Sequence, residues 1–192
     1  MRMALVLVAL LAGSGAALAA TPAANAPAQK PAAHKELDAL FKALVQAQSA
    51  EEAKPIEERI IAQFLQSGSP SIDLLMSRAG AALQGGDVKT AKRLFDSVTA
   101  IEPDFAEGWH QRARIEAVAG DDQAAMMSLE KTLALNPRQF EAYAELGSML
   151  EDYGDKASAL KMYRKAMELD PNFDGVARQV RKLTRAVEGE RI

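Results

Sequence analysis

Apolar and polar positions alternate at helical spacing along most of this chain, and the pattern breaks at regular places. Leu74, Leu75, Ala79, Ala82 and Leu83 fall on one stripe of a helix and stop at Gly86. After Asp87 a second stripe passes through Val88, Ala91, Leu94, Phe95, Val98 and Ile101 and stops before Pro103. A glycine can take the left-handed backbone that ends a helix cheaply, and the next aspartate can accept free N–H groups at the start of another. The local prediction is helix, tight turn, helix and a proline-marked exit.

The unit recurs. Pro103, Pro137 and Pro171 are spaced by 34 residues, as are the pairs Gly86–Asp87, Gly120–Asp121 and Gly154–Asp155. Ala91, Ala125 and Ala159 keep the same interval, and so do Phe95, Leu129 and Tyr163. Four markers in one register define a repeat over 72–105, 106–139 and 140–173. No single unit can enclose a core, so stacked copies must share a continuous one. The repetition also disposes of a possible metal site in "AVAGDDQAA": its Gly120 and Asp121 are the joint found in every unit, and Asp122 adds charge to a first helical turn.

Both flanks continue the helical pattern. Residues 34–71 carry two stripes, Leu37, Leu40, Phe41, Leu44 and Val45, then Ile56, Ile60, Ile61, Phe64 and Leu65. They read as a degenerate helical hairpin acting as N-terminal cover, hinged at "QSGSPS", with Glu57 where the repeats keep a small residue. Residues 174–192 read as a capping helix and tail: Val176, Val180, Leu183 and Val187 share a stripe, with Arg178, Arg181, Lys182 and Arg185 on the other faces. A half-polar last helix is what a solenoid needs to close its end.

The extreme N-terminus has another pattern. Arg2, an apolar run from Ala4 to Leu11, a break at Gly13–Gly15 and the triplet Ala17-Leu18-Ala19 have the layout of a secretory signal peptide over 1–19. A cut after Ala20 is the alternative, and an uncleaved leader would be a membrane anchor. Residues 20–33 form a Pro/Ala-rich linker, with Pro22, Pro27 and Pro31 blocking helix propagation.

Composition narrows the function classes. The 192 residues are 48% hydrophobic and only 5% aromatic, with alanine and leucine dominant, which favours an all-α fold. A net charge of -3 with no long basic run gives no footprint for nucleic acid. The absence of cysteine removes disulfides, thiol catalysis and thiolate metal sites. Two histidines, His34 and His110, lie too far apart in sequence for a helical metal pair, and no nucleophile elbow or phosphate-binding glycine loop is present. These absences predict no enzymatic activity, no cofactor and no metal.

The repeat resembles the tetratricopeptide family. The third unit carries the pattern most fully, in Tyr143, Leu146, Gly147, Ala159, Tyr163, Ala166 and Pro171. The second has Trp109, Ala113, Ala125, Leu129, Thr132 and Pro137, and the first Leu75, Ala79, Ala91, Phe95, Val98 and Pro103. Arg112 and Arg78 stand in the slot where leucine is usual, which predicts a packed stem with its charged head in water. The resemblance implies a right-handed α-solenoid of helix-turn-helix repeats whose first helices line a concave groove. By that frame the partner-binding groove comprises Met76, Leu83, Glu107, His110, Arg114, Glu141, Ser148, Glu151 and Asp152. The lysine and asparagine with which some members grip a carboxylate tail are missing, and only Arg114, with a protonated His110, could replace them.

The resulting expectation is an exported protein of the bacterial periplasm that binds a peptide or protein segment in its groove without bond chemistry. Its alternatives are an envelope assembly subunit that oligomerises or uses its convex face, and an enzyme accessory protein. No nucleic-acid partner is expected, and membrane contact only if the leader is kept.

Overall fold

The computed structural model of the chain describes residues 31–173 and 175–189, and every regular element among them is a helix. The leader and the linker up to residue 30 lie outside the described residues. In chain order the helices are α1 (Pro31–Gln46), α2 (Ala50–Phe64), α3 (Pro70–Gln84), α4 (Val88–Ile101), α5 (Ala106–Val118), α6 (Asp122–Leu135), α7 (Phe140–Asp152), α8 (Lys156–Leu169) and α9 (Val176–Glu188). Helix α1 takes in the last three residues assigned to the linker. Pro31 fits there because an N–H at a helix start has no intrahelical acceptor to lose.

Each repeat is a hairpin, α3 with α4, α5 with α6 and α7 with α8, and each pair packs on the next. The joints form as their residues dictate. Gly86, Gly120 and Gly154 have φ of +78°, +78° and +83°. Asp87, Asp121 and Asp155 then accept the backbone N–H of Thr90, Ala124 and Ser158. Small residues set the spacing between helices: a Cβ on Gly147 would stand 3.1 Å from the Tyr163 ring, and one on Gly108 would stand 2.8 Å from Val98. The result is an all-α solenoid of helical repeats.

The arginines in the leucine slot behave differently from each other. Arg112 lies half-buried against Trp109, its Nε 2.8 Å from the fully buried Glu116 and 3.1 Å from Asp96, while Ser128 Oγ donates to the other Glu116 oxygen at 2.6 Å. Arg78 is exposed, as are Leu74 and Ala81 on the same helix. No earlier repeat packs on that face of α3, whereas the residues equivalent to Leu74, Gly108 and Ala142, are buried against the preceding unit.

The two flanks end in different places. Val176, Val180 and Leu183 of α9 pack with Ala159, Leu160 and Tyr163, closing the C-terminal end with Arg178, Arg181, Lys182 and Arg185 turned outward. The α1–α2 hairpin does not cover unit one, as its position in the sequence suggests. Its core of Leu40, Phe41, Leu44, Ala53 and Ile60 closes on Phe140, Leu169 and Phe173 of unit three. Phe41 meets Phe140 edge-on at 6.5 Å, Phe140 meets Phe173 at 5.1 Å, and Arg138 lies over Phe41 while pairing with Asp38 at 2.6 Å. Asn172 Nδ2 adds a hydrogen bond to the Ala47 carbonyl at 2.8 Å. The physical reason is where apolar surface is on offer: Phe140, Leu169 and Phe173 receive the hairpin's stripe, and the fully buried Ala53 and Ile60 of α2 belong to that cluster. The hinge between hairpin and solenoid is pinned by Asp73, whose carboxylate accepts Ser67 N and Oγ at 3.0 and 2.6 Å.

Candidate functional site

The face predicted to line the groove divides into a closed part and an open part. Glu107 and His110 are buried, the imidazole completely, so neither offers itself to a ligand. Their own helix turns them toward the concave side, but the following unit closes over them. His110 Nε2 lies 3.1 Å from Glu145 Oε2 on α7, and Nδ1 lies 3.4 Å from Glu107 Oε2. Gln139, at the end of unit two, donates to the same Glu107 oxygen at 2.9 Å, and Gln111 donates to the other at 2.6 Å. Burial opposes a charge on His110, yet the hydrogen bonds and charges of Glu107 and Glu145 overcome it and raise the imidazole pKa to about 10. The buried ring is engaged by Glu107 and Glu145 inside the protein, so it cannot help Arg114 hold a carboxylate.

Met76 is a second correction: it is a core residue of unit one, packed with Ile72, Ala79 and Phe95, because an apolar thioether gains more between α3 and α4 than in water. Leu83 is exposed, on the same helix. Arg114 is exposed and stands 3.7 Å from Glu145. Glu151 is half-buried beneath α9, where Lys182 donates to it at 2.6 Å, and Asp152 is exposed beside it. The structure therefore does not gather the nine predicted residues into one site.

It gathers a different set that shares Glu141 and Ser148 with the prediction. These line an open groove of about 360 Å³ between α7 and α9, with Ala144 and Glu145 on its α7 wall, Tyr163 beneath and Val176 and Gln179 opposite. Phe173 and the exposed Arg178 complete the lining. Burial pushes the Glu141 carboxyl up, against the His110 charge that pulls it down. Burial raises the Tyr163 hydroxyl likewise. The groove thus offers two acidic groups, a phenol and an amide around an apolar floor, a lining for side chains of a bound segment. Among the described residues no three His, Asp or Glu side chains are placed to hold a metal ion. Nor is any described helix long and apolar enough to cross a membrane.

The residues missed from sequence are those contributed by neighbouring units. Glu145 is one position from the predicted face, and Gln139 precedes α7. Val176 and Gln179 belong to the segment that reads as a cap, and Phe173 is the last residue of unit three. For Val176 the signal was available in the amphipathic stripe of α9, whose partner is α8.

With this geometry in hand, comparison with known proteins gives a consistent class. Residues 140–173 match the family model of the tetratricopeptide repeat. A TPR repeat-containing protein of Rhizobium etli is 29% identical over 157 residues, covering 82% of this chain and 77% of its own. The Sgt2 TPR domain from Aspergillus fumigatus superposes with a TM-score of 0.56 at 24% identity, over 62% of this chain and 81% of that domain. The first TPR of Spaghetti, bound to the HSP90 peptide SRMEEVD, gives 0.56 at 20% identity, over 61% and 93%. Together these show a tetratricopeptide repeat over residues 140–173 and, for the solenoid, the fold of tetratricopeptide-repeat domains.

Proposed function

We infer that the protein is an exported, non-enzymatic interaction module of the bacterial cell envelope, which holds a segment of a partner protein in the groove between α7 and α9. The observation that carries the reading is the groove itself. It is open on the concave side and mixes an apolar floor with Glu141, Glu145 and Tyr163. Secretion is supported by the leader-like residues 1–19. The lining favours a segment with apolar side chains and at least one lysine or arginine, since Glu141 and Glu145 line the groove with Arg178 as the single cation among the described lining residues.

The test is capture of envelope proteins on the mature chain and on Ala144→Arg, which fills the groove with a side chain from its wall. A set of partners lost with Ala144→Arg and kept with Arg181→Ser on the outer face of α9 supports the reading. Equal recovery on all three sinks it. A structural reading, in which the convex side mediates assembly, draws on the exposed apolar residues Ile101 and Met127 of the second helices. Light scattering separates it, because assembly through that side predicts an oligomer that Met127→Glu dissociates.

A further inference from the structure

The contact between α2 and unit three contains a polar mismatch. Asp170 ends α8 and is fully buried, yet only one of its carboxylate oxygens is satisfied. Oδ1 accepts Asn172 N at 3.0 Å, and Oδ2 has no hydrogen-bond partner among the described residues. The equivalent residue one unit earlier is Asn136, whose Oδ1 makes the same turn with Arg138 N at 3.1 Å and whose Nδ2 donates to Gln139 at 3.1 Å. In unit three both halves of that arrangement change. The amide nitrogen becomes an oxygen, and Phe173 stands in place of Gln139. A buried carboxylate oxygen left so costs free energy until a donor reaches it.

The side chain that faces Asp170 is Glu57, brought by α2 from far along the chain. We propose that the Glu57 carboxyl, in its neutral form, donates its proton to Asp170 Oδ2 and so latches the α1–α2 hairpin onto unit three, a latch released when Glu57 ionises. Atoms and charge balance simply: the pair holds one proton and one negative charge when latched, and the proton leaves to water on release.

Among the described residues, the charges that oppose ionisation of Glu57 are those of Asp170 at the end of α8, Glu141 on α7 and Glu58 on α2 itself. The hairpin's ion pairs lie elsewhere, at Arg59–Glu36 within it and Arg138–Asp38 on the α1 side. Burial first, then the Asp170 hydrogen bond and charge, raise the Glu57 pKa to about 7 from 4.5, and burial raises Asp170 as well. The sign follows: a carboxyl raised on docking gives its full support below the ordinary glutamate value and loses it as pH climbs through about 7. Release would uncover Phe140 and Phe173, and Phe173 also lines the groove. The latch stands independently of what the groove binds.

Hydrogen exchange on the mature chain tests it, with the protection of α1 and α2, corrected for intrinsic exchange, read at pH 5.5 and 8.5 against that of α7 and α8. The expected result is a loss of about tenfold in hairpin protection at the higher pH, less than the full shift of Glu57 allows because its side chain is partly solvated. Glu57→Gln and Asp170→Asn each supply a permanent amide donor, and both should hold protection constant between the two values. Equal protection at both values in the natural sequence overturns the proposal. So does a pH-dependent loss that persists in both amide variants.

Discussion

Glu107, His110 and Glu145 illustrate how one residue's role depends on neighbours distant in sequence. Spacing alone places Glu107 and His110 on the concave side of α5, and they do point that way. Whether that side is open depends on Gln139 and Glu145, 29 and 35 residues further on, which close over the imidazole. The trio is therefore a structural ion cluster. His110→Ala leaves the buried Glu107 carboxylate without its cation, while Glu145 keeps the exposed Arg114, and urea unfolding should show a loss of about 3 kcal/mol. The pH dependence has a definite sign. His110 is raised from 6.5 to about 10 on folding, so its stabilisation is complete below pH 6.5 and fades as pH rises toward 10. Denaturation midpoints should fall across that window for the natural sequence, and the fall should be shallower for His110→Ala. By contrast the joint residues were legible from sequence, because a glycine at positive φ and an aspartate at an N-cap are decided within four residues of chain. Gly120→Ala should cost about 1–2 kcal/mol for its left-handed backbone alone, measured the same way.

At the scale of helices the repeat register carried most of the information. The 34-residue period places six helices, their turns and the small residues that let them touch. Gly147 is the clearest case: its hydrogen lies against the Tyr163 ring, and Gly147→Val would push two methyl groups into it. The expected cost is about 1–3 kcal/mol, visible as a melting point lowered by several degrees in calorimetry. What the register could not place was the α1–α2 hairpin. Its stripes predict two helices correctly, but its seat is chosen by Phe140, Phe173 and Arg138, which no local pattern links to Phe41. Phe41→Ala should free the hairpin while leaving the solenoid intact. Exchange protection would then vanish from α1 and α2 and persist in α3 to α9. Joint loss across all of them would show instead that the hairpin is integral to the solenoid.

The whole molecule is a short solenoid closed at one end by α9, strapped along unit three by its own N-terminal hairpin and open on the concave side between α7 and α9. The sequence anticipated that concave side as the place of binding and named Glu141 and Ser148 within it. Its other members come from the core and the cap, because a groove between stacked helices is lined by whatever the next unit presents. If partners are held in this groove, photo-crosslinking inside the producing cell will capture them, with a photoreactive residue placed at Ser148 in the groove or at exposed Met127 on α6, which contributes nothing to its lining. The expected result is a discrete crosslinked partner from position 148 and none from position 127. Adducts from 127 alone would contradict it and place the working surface on the convex side.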